Sequence, residues 1–257
     1  MANNRKTSIS WVEAEKITLR GYTIEDLIGR ISLGEAVFLL LRGELPSANQ
    51  AKMLEAILIS VIDHGVSPPS TVAAVTVANT GASLNSSVAA GILAINKFHG
   101  GAIEEAMKAI SEAVQLQKSE NLSAIDSAEK VVQNYKAQGS RISGFGHRFH
   151  AADPRTARLF ELAKELKLAG KFVGQAEILE KVLSENLGKT LPINADGAIA
   201  ALLCEMDFPP QTANGIFMIA RVAGLVAHAT EEQERNPPMR TVDAENYEYD
   251  GAKERSL

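Results

Sequence analysis

The sequence predicts an all-α fold with a small β-hairpin near the N-terminus as its sole β element, and three observations carry that reading. Apolar residues recur every three to four positions through long stretches, glycine and proline punctuate the gaps between them, and strand-like alternation is almost absent. With 257 residues, 46% of them hydrophobic, the chain can bury the core of one large domain or of two lobes.

Taken in order, the first element is the exception. EKITLRG, Glu15 to Gly21, alternates Ile17 and Leu19 with Thr18 and Arg20 before a glycine, which predicts a short strand and a turn. Thr71 to Ala94 is rich in alanine, glycine and serine and predicts helices whose backbones approach closely. Helices with so little side-chain bulk must pack on another large apolar surface, either within the chain or on a second subunit. The same region, extended to Phe98, is apolar enough to raise a membrane span, but Asn79, Asn85, Ser86, Ser87 and Asn96 interrupt it, so no membrane association is expected. Helices are predicted over Asp126 to Gln138 and Pro154 to Leu168. The breaks fall at Gly43 to Pro46, Gly65 to Pro69, Gly100–Gly101, Gly139, Gly188 to Pro192 and Pro209–Pro210. Glu231 to Leu257 reads as a polar tail.

Composition removes several classes of function. A net charge of −5 with scattered basic residues gives no footprint for nucleic acid. The N-terminus lacks an apolar segment behind its basic residues, and the lone Cys204 has no internal partner for a disulfide, so a cytoplasmic location is expected.

The chemistry-bearing residues cluster by context. His64 (DHGVSPPS), His99 (KFHGG), His147 and His150 (GFGHRFH) sit beside glycines or in turns. There a ligand can reach both an imidazole that exchanges protons near neutral pH and the adjoining backbone N–H groups. Taken singly, each is more often a surface or capping residue, and it is their recurrence together that points to a site. No pair has the spacing that places two metal ligands on one helical face, so no metal site is expected. Asp196, in LPINADGAIAALL, admits two readings: an N-cap, or a carboxylate in apolar surroundings with a raised pKa that serves as acid or base. Arg221 lies among apolar neighbours and needs a partner, either a ligand carboxylate or an Asp or Glu of the chain. With Arg155, Arg235 and Arg240 it suits a di- or tricarboxylate, since guanidinium forks grip carboxylates in two-point fashion. The glycines match neither a phosphate-binding loop nor a dinucleotide fingerprint.

These residues carry a resemblance. GFGHRFHAADPR resembles the signature of the citrate synthase superfamily, a GxGH turn followed by an arginine in a DPR triplet. LRGYTIEDL with GEAVFLLLRGELPS, then DHGVSPPST, KFHGGAIEEA, INADGAIAALL and IARVAGLVAHATEE agree with it in the same order, across most of the chain. The resemblance implies a citrate synthase-like fold with a large helical dimerisation domain, residues 1–100 and 212–257, and a smaller helical domain, residues 101–211, carrying the CoA-side catalytic residues. It implies an enzyme that joins or separates acetyl-CoA and oxaloacetate. Asp196 would move the methyl proton, His99 would bond the thioester oxygen as the enol or enolate forms, and His147 would act on the ketone or alcohol oxygen. His64, Arg155, Arg221 and an arginine of ERNPPMR, Arg240 in preference to Arg235, would hold carboxylates. The last of these commonly crosses a dimer in this family. Ser143, Gly144, Phe145, Gly146 and Arg148 would meet the CoA.

The chain is shorter than full-length citrate synthases and begins almost at the LRGY segment. In this it resembles the short citryl-CoA lyase-like branch, including the C-terminal lyase module of ATP-citrate lyase, whereas His99 is a synthase-like feature. The expected function is therefore citryl-CoA cleavage to acetyl-CoA and oxaloacetate by a homodimer. No tightly bound cofactor is expected, with the coenzyme A thioester entering as substrate. The alternatives are a short citrate or methylcitrate synthase, a related hydroxyacyl-CoA lyase and, last, a non-catalytic CoA- or citrate-binding paralogue.

Overall fold

The computed structural model describes residues 6–146 and 153–239; His147, Arg148, His150 and Arg240 lie outside them. Three short strands come first: β1 (Ser10–Glu13), β2 (Lys16–Leu19) and β3 (Tyr22–Thr23), antiparallel in the order β1-β2-β3. Ser10 pairs with Leu19 and Glu13 with Lys16. The expected strand is thus the middle one of three. Strand β3 is too short to show alternation, and in β1 the adjacent Trp11 and Val12 are both exposed. The β2–β3 turn is Arg20–Gly21, both at positive φ, as a two-residue hairpin turn requires. Arg20 also donates from Nε and Nη2 to the Leu40 carbonyl at 3.1 and 2.7 Å, which tacks the sheet onto the helices.

Helices follow: α1 (Ile24–Leu27), α2 (Leu33–Arg42), α3 (Ala48–Ser60), α4 (Pro69–Asn79), α5 (Leu84–Leu93) and α6 (Ala102–Ser119). Beyond them lie α7 (Ala124–Ala137), α8 (Pro154–Glu165), α9 (Lys171–Leu187), α10 (Ala195–Glu205) and α11 (Pro210–Arg235). Their ends follow local rules. Ser32 with Glu35 and Ser47 with Gln50 form capping boxes at α2 and α3, and Gly43 ends α2 in the left-handed region. Helix α8 stops earlier than the periodicity suggests because Lys167 turns to positive φ. Helix α9 has no side-chain cap of its own. Instead the Glu205 carboxylate accepts from the N–H groups of Gly170, Phe172 and Val173 at 2.8–3.0 Å, which ties the start of α9 to the end of α10.

Two helices organise the rest. From Gly197 to Cys204 every residue of α10 is buried, and it packs against α6, α8 and α9. A helix apolar on all sides belongs in the centre. Helix α11 packs on α3, α4, α5 and α6, so the small-residue helices α4 and α5 find their apolar surface within the chain. Among the described residues α11 is also long and apolar enough to cross a membrane by length and composition, but it packs here as a core helix. One connected core runs from Val37 to Ala220.

Candidate active site

The first turn of α10 and the loop before α8 are built as one unit. Asn194 is the cap of α10: its Oδ1 accepts from Gly197 N at 3.1 Å while its Nδ2 donates to the Gly146 carbonyl at 2.9 Å. The capping reading for Asp196 is therefore corrected. The cap lies two residues earlier, and Asp196 is held inside the first turn with no such duty. Residues 143–146 lie alongside this turn, with Phe145 bridged to Ile193, Gly146 N donating to Pro192 O at 2.7 Å and Asn194 N to Gly144 O at 3.1 Å. The approach requires glycine on both sides. Gly144 has φ +88°, a Cβ there would lie 2.8 Å from Gly197 Cα, and a Cβ on Gly197 would overlap the Gly144 carbonyl.

Asp196 keeps some solvent exposure, yet burial of its carboxyl raises its pKa, and the nearby Asp153 adds to the rise while Arg155 and Arg221 oppose it. The helix N-terminus acts in the opposite sense and favours the anion. The carboxylate therefore has the character of the acid–base reading.

His99 closes the turn ahead of α6. Asn96 and His99 exchange backbone hydrogen bonds of 2.8 and 2.9 Å, and Gly100 follows at φ +75°. The His99 ring is half-buried, lies edge-on to Phe217 at 5.8 Å, and has Nε2 2.8 Å from the hydroxyl of the fully buried Ser70. Burial lowers its pKa, and electrostatic interaction with Arg221 and with His64 acts in the same direction. It stands as a neutral imidazole at neutral pH.

Arg221, on α11, is 2% exposed. Its Nε donates to Val61 O at 3.0 Å and its guanidinium lies 4.8 Å from the Phe217 ring centre, but Nη1 is buried without a hydrogen-bond partner. Among the described residues no carboxylate pairs with it directly. A buried, incompletely satisfied guanidinium is set to receive an anion. Burial lowers its pKa and neighbouring Arg155 adds to this, while Asp63 and Asp196 counter it.

His64 occupies the exposed turn after α3. Asp63 shapes that turn: Oδ2 accepts from Gly65 N at 2.9 Å and Oδ1 lies 3.0 Å from Nε2 of His228. Burial alone would raise the Asp63 pKa, but the Gly65 and His64 N–H groups and His228 outweigh it and hold it low. Gly224 lets α11 reach this turn, since a Cβ there would lie 2.6 Å from Ile62 O. Arg221, Gly224 and His228 thus present one face of α11 to residues 61–63.

The structure therefore brings His64, His99, Arg155, Asp196 and Arg221 into one electrostatic neighbourhood, with the 143–146 loop against it. It does not bring Arg235 there. That side chain is paired with Glu231 on the surface, about 21 Å along α11 from Arg221 at 1.5 Å per residue. Sequence reasoning overlooked Ser70, Asp63, His228 and Asn194. Each lay within a quoted motif, but only the fold reveals the bond it makes.

A carboxyl of raised pKa, an imidazole of lowered pKa and a buried, incompletely satisfied guanidinium in an all-α fold are the groups that acid–base chemistry on a small carboxylated ligand requires. The model of the citrate synthase C-terminal domain matches residues 3–53 and 48–241, and the chain belongs to the citrate synthase family. Citryl-CoA lyase from Hydrogenobacter thermophilus superposes with a TM-score of 0.90 at 41% identity, covering 99% of this chain and 97% of that one. ATP citrate lyase from Methanosaeta concilii, in complex with (3S)-citryl-CoA, shares the fold at 22% identity and a TM-score of 0.83, over 99% of this chain and 43% of that one. Among curated relatives, ATP-citrate synthase beta chain protein 1 of Arabidopsis thaliana is 28% identical over 73% of this chain and 32% of its own length. Citrate synthase 2 of Bacillus subtilis is 29% identical over 79% of this chain and 53% of its own. The chain thus spans less than two thirds of either of these curated relatives.

Proposed function

We propose that the protein is a citryl-CoA lyase, cleaving citryl-CoA reversibly to acetyl-CoA and oxaloacetate. The observation that carries this reading is the convergence of an Asp196 of raised pKa, a neutral His99 and an incompletely satisfied Arg221. The near end-to-end likeness to the Hydrogenobacter enzyme favours cleavage as the reaction.

In this reading a base takes the proton of the citryl hydroxyl as the bond between the hydroxyl-bearing carbon and the acyl methylene breaks. The hydroxyl carbon becomes the ketone of oxaloacetate, and the electron pair flows into the thioester as an enol or enolate. His99 donates to that oxygen, and Asp196 delivers its proton to carbon to give the acetyl methyl group. A carboxyl with a raised pKa is suited to hold that proton beforehand. His147, assigned to the hydroxyl by family resemblance, lies outside the described residues. Arg221, Arg155 and His64 hold carboxylates of the oxaloacetate half, and the 143–146 backbone meets the CoA, joined by Arg148. Arg240 or Arg235 reaches a carboxylate across a homodimer. Exposed apolar side chains around α4 and α5, among them Val66, Val72, Leu93 and Phe98, support such an assembly. Residues 101–211 move as the smaller lobe, CoA enters as substrate rather than as a resident cofactor, and the protein works in the cytoplasm.

Nε2 of His99 lies 2.8 Å from the Ser70 hydroxyl; with that hydroxyl as the donor, the neutral ring carries its proton on Nδ1, available to the thioester oxygen in this reading. Ser70→Ala then lowers kcat about tenfold, as loss of one hydrogen bond worth about 1.4 kcal/mol would, with KM little changed. Steady-state kinetics showing an unaltered kcat removes Ser70 from this role. His99 also favours a second reading, a short synthase, since it is a feature shared with the synthases. Citryl-CoA supplied to the purified protein, with oxaloacetate coupled to NADH oxidation by malate dehydrogenase, tests the first reading. Rapid NADH loss is expected, and a trace no faster than the enzyme-free control rejects it.

A further inference from the structure

Resting on that reading of the site, we propose that Asp153 is a positioning residue that fixes the carboxylate-holding guanidinium of Arg155 and the helix end bearing Asp196 relative to each other. Asp153 is the cap of α8, but a cap requires only one bond to the helix it starts. Here the carboxylate is 3% exposed and, among the described residues, accepts four hydrogen bonds that reach two helices. Oδ1 takes Arg155 N and Arg155 Nε, both at 3.0 Å, while Oδ2 takes Arg155 Nη2 at 2.8 Å and the Ala195 N–H of α10 at 3.2 Å. The Nε–Nη2 edge of Arg155 is thereby filled, which turns the remaining donors of a fork that is still 28% exposed toward an incoming ligand. The Ala195 bond fixes the residue next to Asp196. Thr156, one residue past Arg155, reinforces the junction with a 3.1 Å bond from Oγ1 to Ile193 O.

One buried anion thus sets the spacing between a group that holds the substrate and the group that moves its proton. Displacements of about 1 Å in such spacing cost on the order of a hundredfold in rate. In this role Asp153 touches no reacting atom and acts through Arg155 and the Ala195 N–H.

The test is a double-mutant cycle of Asp153→Asn and Arg155→Ala, read both as kcat/KM for citryl-CoA and as calorimetric Kd for oxaloacetate. Asparagine keeps an acceptor for Ala195 N–H but loses the charged two-point grip on Arg155. Oxaloacetate binding is expected to weaken about tenfold in Asp153→Asn, and Arg155→Ala to cost roughly a hundredfold alone but only a few-fold in the Asp153→Asn background. Asp153→Glu, which retains the charge, recovers part of the binding loss at an unchanged melting temperature. If Asp153→Asn does not fold, the cycle is run with Asp153→Ser, which keeps a capping oxygen for α8 but no charge, under the same criteria. Losses that simply multiply, or a melting temperature that falls with binding intact, overturn the proposal. A wild-type protein that binds oxaloacetate but leaves citryl-CoA intact removes the lyase reading while the binding cycle still decides for or against Asp153. A wild-type protein that does not bind oxaloacetate overturns both.

Discussion

Asp196→Asn lowers kcat for citryl-CoA cleavage by about 10³-fold while raising the melting temperature at neutral pH. The first effect follows from removing the group proposed to give the proton to carbon, since general acid–base groups contribute about 10² to 10⁴-fold. The second follows from the direction of the pKa shift. Burial raises the folded-state pKa of Asp196 above its ordinary value of 3.8, so the fold disfavours the charged form that the unfolded chain adopts readily. The stability cost is absent while the group is protonated in both states. It grows as pH rises from the unfolded value through the raised folded value and is complete above it. Asparagine carries no such cost, so its advantage is full at high pH and vanishes in acid, at about 2–4 °C of melting temperature per kcal/mol. Calorimetric melts across pH check the sign. A variant less stable than wild type at neutral pH, or one that retains cleavage, contradicts this role.

Arg221→Met weakens oxaloacetate binding by about 10² to 10³-fold, as truncation of a buried charge that pairs with a ligand carboxylate would. Without ligand the variant is as stable as wild type or more so. The native guanidinium is buried with Nη1 unpartnered and, among the described residues, no carboxylate paired with it directly, and exchanging a poorly compensated buried charge for an apolar side chain of similar length is often neutral or stabilising. The Val61 carbonyl loses its 3.0 Å donor, which limits the gain. Isothermal titration and thermal melts separate the two effects. A large drop in melting temperature with oxaloacetate affinity retained would recast Arg221 as a structural residue. Both substitutions express one design: groups kept in surroundings that disfavour their charge make the site reactive and the fold less stable.

What could be read from the sequence depended on the range of the interaction. The all-α class was legible because α7 and α8 follow three-to-four periodicity and are framed by Ser123 and by Asp153–Pro154. The β1 strand was not, because SWVE is four exposed residues whose only signal is its pairing with β2. In the site, His64, His99, Asp196 and Arg221 stood out because chemistry-bearing side chains beside glycines or inside apolar runs are conspicuous. The same local view left the capping and acid–base readings of Asp196 equal. What separates them is the Asn194 cap and the buried environment, which depend on residues 144–146 lying across the first turn of α10. Ser70 and Asp63 were opaque for the same reason, since their partners His99 and His228 are 29 and 165 residues away.

The most direct measurement incubates the protein with synthetic citryl-CoA and follows every CoA species and organic acid by chromatography. A lyase yields acetyl-CoA and oxaloacetate in equal amounts, with no citrate or free CoA beyond the enzyme-free control. Accumulation of citrate and free CoA instead would mean that the thioester is hydrolysed and would contradict carbon–carbon cleavage as the reaction of this site.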